Sequence, residues 1–277
     1  MMKRFIFSIF LLPLLLASPQ TKAQGIMLTP KWTAQAQFTG YYVADKLGFY
    51  KEEGIDVCVQ HPAISESSFS FMEKGRAPVV IMNLSYAFME RLAGARVVNV
   101  MQTSQENSLM LISHSPLKGE ESLRNQKIAV WNHLSQKLLD RLAEHYALKQ
   151  VEWIRFNSGV NVFLSGAADP CLVGSYNEYL QLSEYGMNVD SIYSIRLADY
   201  GYNLPEDGLY VTEEFYNQYP EVVRKLVKAS MRGWAWANEH REEALDMVME
   251  EVKKGNIGTN RYHQRKMLEE VLRLQVD

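Results

Sequence analysis

The chain has 277 residues, 47% apolar and 22% charged, with 29 Lys and Arg against 32 Asp and Glu for a net charge of −3. That composition belongs to a globular chain with one large or two medium domains and excludes a disordered or collagen-like one. It also lacks the basic excess of a nucleic-acid binder. The two cysteines, Cys58 and Cys171, form no CxxC pair, so neither a thiolate zinc site nor a disulfide framework is expected.

Lys3 and Arg4 precede an apolar run from Phe5 to Ala17, and small and polar residues follow to Gln24. This pattern reads as a secretory signal peptide over residues 1–23, cleaved after Ala23. The run is too short to span a bilayer comfortably. Its removal takes away Lys3, Arg4 and Lys22 and no acid, so the mature chain is more negative. The mature protein is expected to be periplasmic, soluble and monomeric.

From residue 26 onward short apolar runs alternate with helical patterns. Strands are predicted at Ile26–Leu28, Ile55–Val59, Val79–Met82, Val97–Met101, Leu109–Ser113, Lys127–Trp131, Val151–Phe156, Cys171–Val173 and Ile192–Ile195. Several are unbroken Val/Ile/Met runs, as in strands buried on both faces. Helices are predicted over Tyr41–Glu53, Ser135–Leu148 and Pro220–Gly255. The alternation gives an α/β protein with mainly parallel sheets. The polar stretch Ser113–Asn125 marks one domain boundary and Ile195–Tyr200 a second crossing. A first lobe over 24–113 plus 196–277 and a second over 114–195 follow.

No GxSxG, HExxH, GxGxxG or P-loop motif occurs, and none of the six histidines pairs with another at i+2 or i+4. No metal or cofactor is expected, and both cysteines are expected buried and free. Aromatic and amide residues cluster instead where strands end, which is where open α/β sheets bind ligands. Trp32 offers a stacking face, Gln35 and Gln37 offer donors and acceptors, and the helix start near Gly40, with Tyr41, offers free N–H groups. Asn83, Gln105 and Trp131 stand at three further strand exits. After Cys171–Val173 come Tyr176, Asn177 and Glu178, an aromatic, an amide and a carboxylate suited to a flat heterocycle with amino groups. The competing reading is a capping box, with Ser175 as N-cap and Glu178 at N3.

These segments resemble the NMT1/THI5-like family. The resemblance rests on Trp32-x-x-Gln35-x-Gln37-Phe38-x-Gly40-Tyr41-Tyr42 continuing to Gly54-Ile55-Asp56-Val57, on Leu123–Trp131, on Tyr176-Asn177-Glu178, on Asp199–Asn203 with Glu206–Tyr210, and on Ala229–Ala237. It covers residues 27–250. It implies a type II periplasmic-binding-protein fold, two α/β lobes closing on a ligand cleft with two crossovers. It also implies an aminopyrimidine thiamine precursor as ligand and the membrane permease of an ABC importer as partner. By position Trp32 is one stacking wall, Tyr176 or Trp131 the other, and Glu178 accepts from the ring amine with Asn177 as helper. Gln37, Asn83 and Gln105 complete the rim. Relatives that bind sulfonates or nitrate, and sensor input modules, are the alternatives. The family's pyrimidine-synthesising enzymes are disfavoured: their cysteine-rich iron motif is missing, and the Trp32–Gly40 loop lacks a histidine.

Overall fold

Two five-stranded sheets organise the chain in the computed structural model, which describes residues 25–63, 66–117, 126–131, 140, 143–144, 151–157 and 159–275. The signal peptide, most of the helix predicted over Ser135–Leu148 and most of the polar boundary stretch lie outside the described residues. The first sheet has the order β2-β1-β3-β10-β4, from β1 (Ile26–Thr29), β2 (Val57–Val59), β3 (Val79–Asn83), β4 (Val97–Gln102) and β10 (Asp207–Thr212). The second has the order β7-β6-β8-β5-β9, from β5 (Leu109–Ser113), β6 (Lys127–Trp131), β7 (Glu152–Phe156), β8 (Cys171–Gly174) and β9 (Tyr193–Arg196).

Both sheets are mixed rather than mainly parallel. β1 runs parallel to β2 and β3, and β6 to β7 and β8. β10 runs antiparallel to β3 and β4, and β5 antiparallel to β8 and β9. The antiparallel strands in the middle of the pairings are those that carry the chain across: β5 enters the second sheet, and β10 returns to the first. β5 therefore belongs with the second sheet, although it was expected at the end of the first lobe. The crossings fall at 103–108 and 197–206.

The helices of the first half are α1 (Thr39–Lys46), α2 (Phe49–Glu52), α3 (Ser68–Glu73) and α4 (Leu84–Leu92). Then come α5 (Asn161–Leu164), α6 (Glu178–Glu184), α7 (Glu213–Gln218), α8 (Pro220–Glu239), α9 (Arg241–Lys254) and α10 (Arg261–Arg273). The helix predicted over Tyr41–Glu53 is broken at Gly48, whose left-handed φ of 76° ends α1 and starts α2. The helix predicted over Pro220–Gly255 is two helices, separated at the non-helical His240.

One large core joins β1, β2, β3 and β10 to α1, α8, α9 and α10 through Leu28, Tyr42, Ile81, Leu226, Leu245 and Leu268. The α1–α8 crossing depends on two glycines. A Cβ on Gly233 would sit 2.0 Å from the Gly40 carbonyl oxygen, and one on Gly40 would meet the Trp234 ring at 2.3 Å. The second sheet packs its own smaller cores, one around Leu109, Val130 and Leu172 and the other around Ile112, Val173 and Leu182. Cys171 is buried, but Cys58 is exposed, because it points to the solvent side of edge strand β2; both are free.

Candidate functional site

The ends of β1, β3, β8 and β10 and the first crossing bring a polar cluster together between the two sheets. β1 delivers Lys31 and a short 3-10 turn over Ala36–Phe38. Gln37 on that turn is buried, and its Nε2 donates to Asp207 Oδ2 at 2.6 Å and to the Tyr176 hydroxyl at 3.1 Å. The second of these bonds links the first sheet's side to the second's. Gln35 Nε2 donates to Gln37 Oε1 at 2.5 Å and fixes its amide. Lys31 pairs with Asp207 Oδ1 at 2.5 Å and also donates to Asn83 Oδ1. At the base, Ser104 Oγ accepts from the Glu206 and Asp207 N–H groups at 2.9 and 2.8 Å. Ser108 Oγ donates to the Glu206 carboxylate at 2.9 Å.

Burial governs the protonation of this cluster. It pushes Glu206 up to about 7, opposed by the Lys31 charge, reinforced by Asp207 and opposed again by the Ser108 hydrogen bond. Burial likewise holds the Tyr176 phenol well above its ordinary value, helped by the charges of Glu206, Asp207 and Glu178.

A second group lies beside it at the exit of β8. Glu178 is buried at the first turn of α6. Its Oε2 accepts from the Gly174 N–H at 3.1 Å, and its Oε1 accepts from Trp131 Nε1 and Asn177 Nδ2, both at 3.2 Å. Burial raises its pKa, and these donors oppose the rise. The Glu178 N–H is a fourth donor, so the roughly four lone-pair positions of the carboxylate all meet a donor. A Cβ on Gly174 would lie 3.2 Å from Glu178 Oε2, 3.6 Å from Ser108 Oγ and 3.9 Å from the Trp131 ring. With glycine there, a carboxylate, a hydroxyl and an indole face one common space.

The capping box does not form. Asn177, not Ser175, precedes α6, and Glu178 is the first helical residue instead of N3, so its carboxylate reaches back to Gly174. The structure thus brings Gln37, Asn83 and Tyr176 into one network and Trp131, Asn177 and Glu178 into the adjoining one. Trp32 is 42% exposed, and its carbonyl accepts from His61 Nδ1, whose Nε2 meets the Tyr42 hydroxyl at 2.6 Å. Tyr41 is buried in the α1–α8 contact, edge-on to Trp234, with its hydroxyl 2.8 Å from Thr103 Oγ1. The N–H groups near Gly40 are partly taken, since Ala36 N–H donates to Gln264 Oε1 at 2.6 Å. Gln105 is exposed, and its own N–H and side chain bind the Leu274 and Gln102 carbonyls. Lys31, Ser104, Ser108, Glu206 and Asp207 were not named as site residues from sequence, although Glu206 and Asp207 open a stretch that carries the family resemblance. The available signal was the acid pair opening an otherwise apolar run, Glu206-Asp207-Gly208-Leu209-Tyr210-Val211.

Two α/β sheets with a polar cluster between them and a twice-crossing chain define a periplasmic-binding-protein fold. Solved structures agree. The periplasmic aliphatic sulphonate binding protein SsuA of Escherichia coli superposes with a TM-score of 0.70 at 12% identity, over 89% of this chain and 83% of that one. The model of the NMT1/THI5 like family matches residues 35–244, and the chain belongs to that family. A riboflavin-binding protein of Chloroflexus aurantiacus is 28% identical over 91% of this chain and 73% of its own length. A formylaminopyrimidine-binding protein of Halalkalibacterium halodurans is 24% identical over 92% and 81%. Saccharomyces cerevisiae 4-amino-5-hydroxymethyl-2-methylpyrimidine phosphate synthases match at 22% over 72% of this chain and 62% of their own length.

Proposed function

We propose that this chain is a periplasmic substrate-binding protein that captures an aminopyrimidine related to the thiamine precursor and hands it to the permease of an ABC importer. The two sheets are its lobes, 25–102 with 207–275 and 109–196. The observation that carries the ligand class is the buried Glu178 carboxylate beside the Trp131 indole and the side-chain-free Gly174. An exocyclic amine can donate to that carboxylate in place of one of its present donors while the flat ring lies against an aromatic face. Beside Glu178 stands the protonated Tyr176 hydroxyl, and from the first sheet's side Gln37, whose amide hydrogens are held by Asp207 and Tyr176, offers its Oε1; Trp32 is the further stacking face.

An anionic ligand fits this cleft poorly. Among the described residues of the two networks, Glu178, Glu206 and Asp207 are acidic, and Lys31 is already paired with Asp207. Sulfonates and nitrate would call for uncommitted cationic or N–H donors. A catalytic step is not part of this reading. It is supported by the relatives named as binding proteins, both of which match more of the chain than the synthases do. Secretion is supported by the pattern of residues 1–23 and by the fold. No helix among the described residues is long and apolar enough to cross a membrane.

A flavin is the second reading, favoured by the 28% identity to a riboflavin-binding protein. Thermal melting with formylaminopyrimidine, riboflavin, taurine and nitrate separates the classes. A ligand at 100 times its Kd stabilises by about 2.7 kcal/mol. The aminopyrimidine is expected to raise the melting temperature; a rise with taurine or nitrate alone overturns the ligand class.

A further inference from the structure

His263 lies outside both networks just described, yet it is tied to one of them. It is buried on α10, which packs in the core of the first sheet, and it faces α6, which packs in a core of the second. Its Nδ1 lies 2.5 Å from Glu184 Oε1 and its Nε2 lies 3.0 Å from Asn177 Oδ1. Both neighbours are oxygens. A neutral imidazole has a single N–H, so only the imidazolium donates to both. The orientation of Asn177 is fixed by its other bonds, because its Oδ1 also accepts from Gln181 Nε2 at 3.4 Å while its Nδ2 donates to Glu178 Oε1 at 3.2 Å. Reversing the amide would set its oxygen against the Glu178 carboxylate.

We propose that His263 is a positioning residue for Glu178, acting through Asn177, and that loss of its proton loosens the cleft carboxylate. The inference rests on the reading that Glu178 meets the ligand. When Nε2 loses its proton it becomes an acceptor, and Asn177 must turn its NH2 toward it. That withdraws a donor from Glu178 and presents an oxygen instead. Ligand affinity then falls as pH rises through the His263 titration, and bound ligand in turn favours the imidazolium. The ionisable groups facing His263 are few. From α6 come Glu184, its direct partner, and Glu178, one residue beyond Asn177. From α9, Glu242 and Asp246 approach α10 but are held by Arg261 and Arg265. The 3-10 turn at Ala36–Phe38 contributes none. Asn260 caps α10 through the His263 N–H and donates to Glu184 Oε2 at 3.3 Å.

The indole N–H of Trp131 donates to the same Glu178 oxygen as Asn177, so its proton–nitrogen NMR signal reports the carboxylate in the unliganded protein. The signal is expected to move with the midpoint of the His263 ring signals. His263→Gln should abolish that movement while the fold is kept. In calorimetry with formylaminopyrimidine, Kd should rise about fivefold above the midpoint, the worth of roughly one hydrogen bond, and stay flat in His263→Gln. A Trp131 signal indifferent to the His263 titration in the folded wild-type protein overturns the relay. A pH-coupled indole signal with no aminopyrimidine binding keeps the relay and overturns the ligand reading. A Kd that rises equally in His263→Gln overturns the role of His263 in affinity.

Discussion

Glu206 carries the most consequential single protonation in the cleft. A solvated Glu titrates near 4.3, whereas burial holds this one near 7. The native protein therefore keeps a proton between those values that the unfolded chain has already released. The stability this group contributes is present in full below about pH 4.3 and is lost as pH rises through about 7. The loss is on the order of 3 to 4 kcal/mol. Glu206→Gln, which cannot ionise, should flatten that part of the stability–pH curve in urea titrations at pH 5 and pH 8. An unchanged slope would mean that Glu206 is solvated like any surface carboxylate. Trp32 makes the complementary case. Being 42% exposed, it can be changed to Ala with little effect on the melting temperature. Aminopyrimidine affinity should fall at least about tenfold, as expected when a stacking face worth about 1.5 kcal/mol is removed. An unchanged Kd in calorimetry removes Trp32 from the site. The residues legible beforehand were aromatics and amides at strand ends. Lys31 and Asp207 were not, because a buried ion pair is two ordinary charges until the fold joins residues 31 and 207.

At the scale of elements, the α1–α8 crossing is the tightest contact. Gly233→Ala puts a methyl 2.0 Å from the Gly40 carbonyl oxygen and 2.9 Å from the Ala44 Cβ. The two helices must separate, at a cost of about 3 kcal/mol, read as a lower urea midpoint with an unchanged m-value. The strands with unbroken apolar runs, β3, β5 and β6, were legible because burial on both faces demands such runs. β10 was missed: its opening Asp207-Gly208 pairs two residues depleted in strands. Here the neighbours decide. Asp207 is buried by Gln37 and Lys31, and Gly208 leaves space for Gln102, whose Oε1 would lie 2.9 Å from a Cβ at that position. The breaks at Gly48 and His240 were hidden by helical spacing that continues on either side of each.

At the scale of the molecule, two sheets with their own cores meet through polar contacts as well as through Tyr176 and Leu180, which pack on the first sheet's core. Gln37–Tyr176, Ser108–Glu206, His263–Asn177 and Arg196–Glu270 all join the first sheet's side to the second's or to the crossing segment between them. Such contacts exchange with water at small net cost, which suits lobes that open and close about two connections. Tyr176→Phe removes one of them. It should leave the unfolding free energy within about 1 kcal/mol of wild type while enlarging the radius of gyration of the unliganded protein in small-angle scattering. No change in radius would mean that the remaining contacts set the closure. The crossing positions were legible only approximately, since strand patterns do not reveal which sheet a strand joins, and β5 reads the same in either. The most direct test of the ligand reading is calorimetric titration of wild type and Glu178→Gln with formylaminopyrimidine and with taurine. Saturable aminopyrimidine binding by the wild type, weakened at least about tenfold in a folded Glu178→Gln variant as a charge-assisted hydrogen bond is lost, is the expected result. Saturable taurine binding without any for the aminopyrimidine would contradict it.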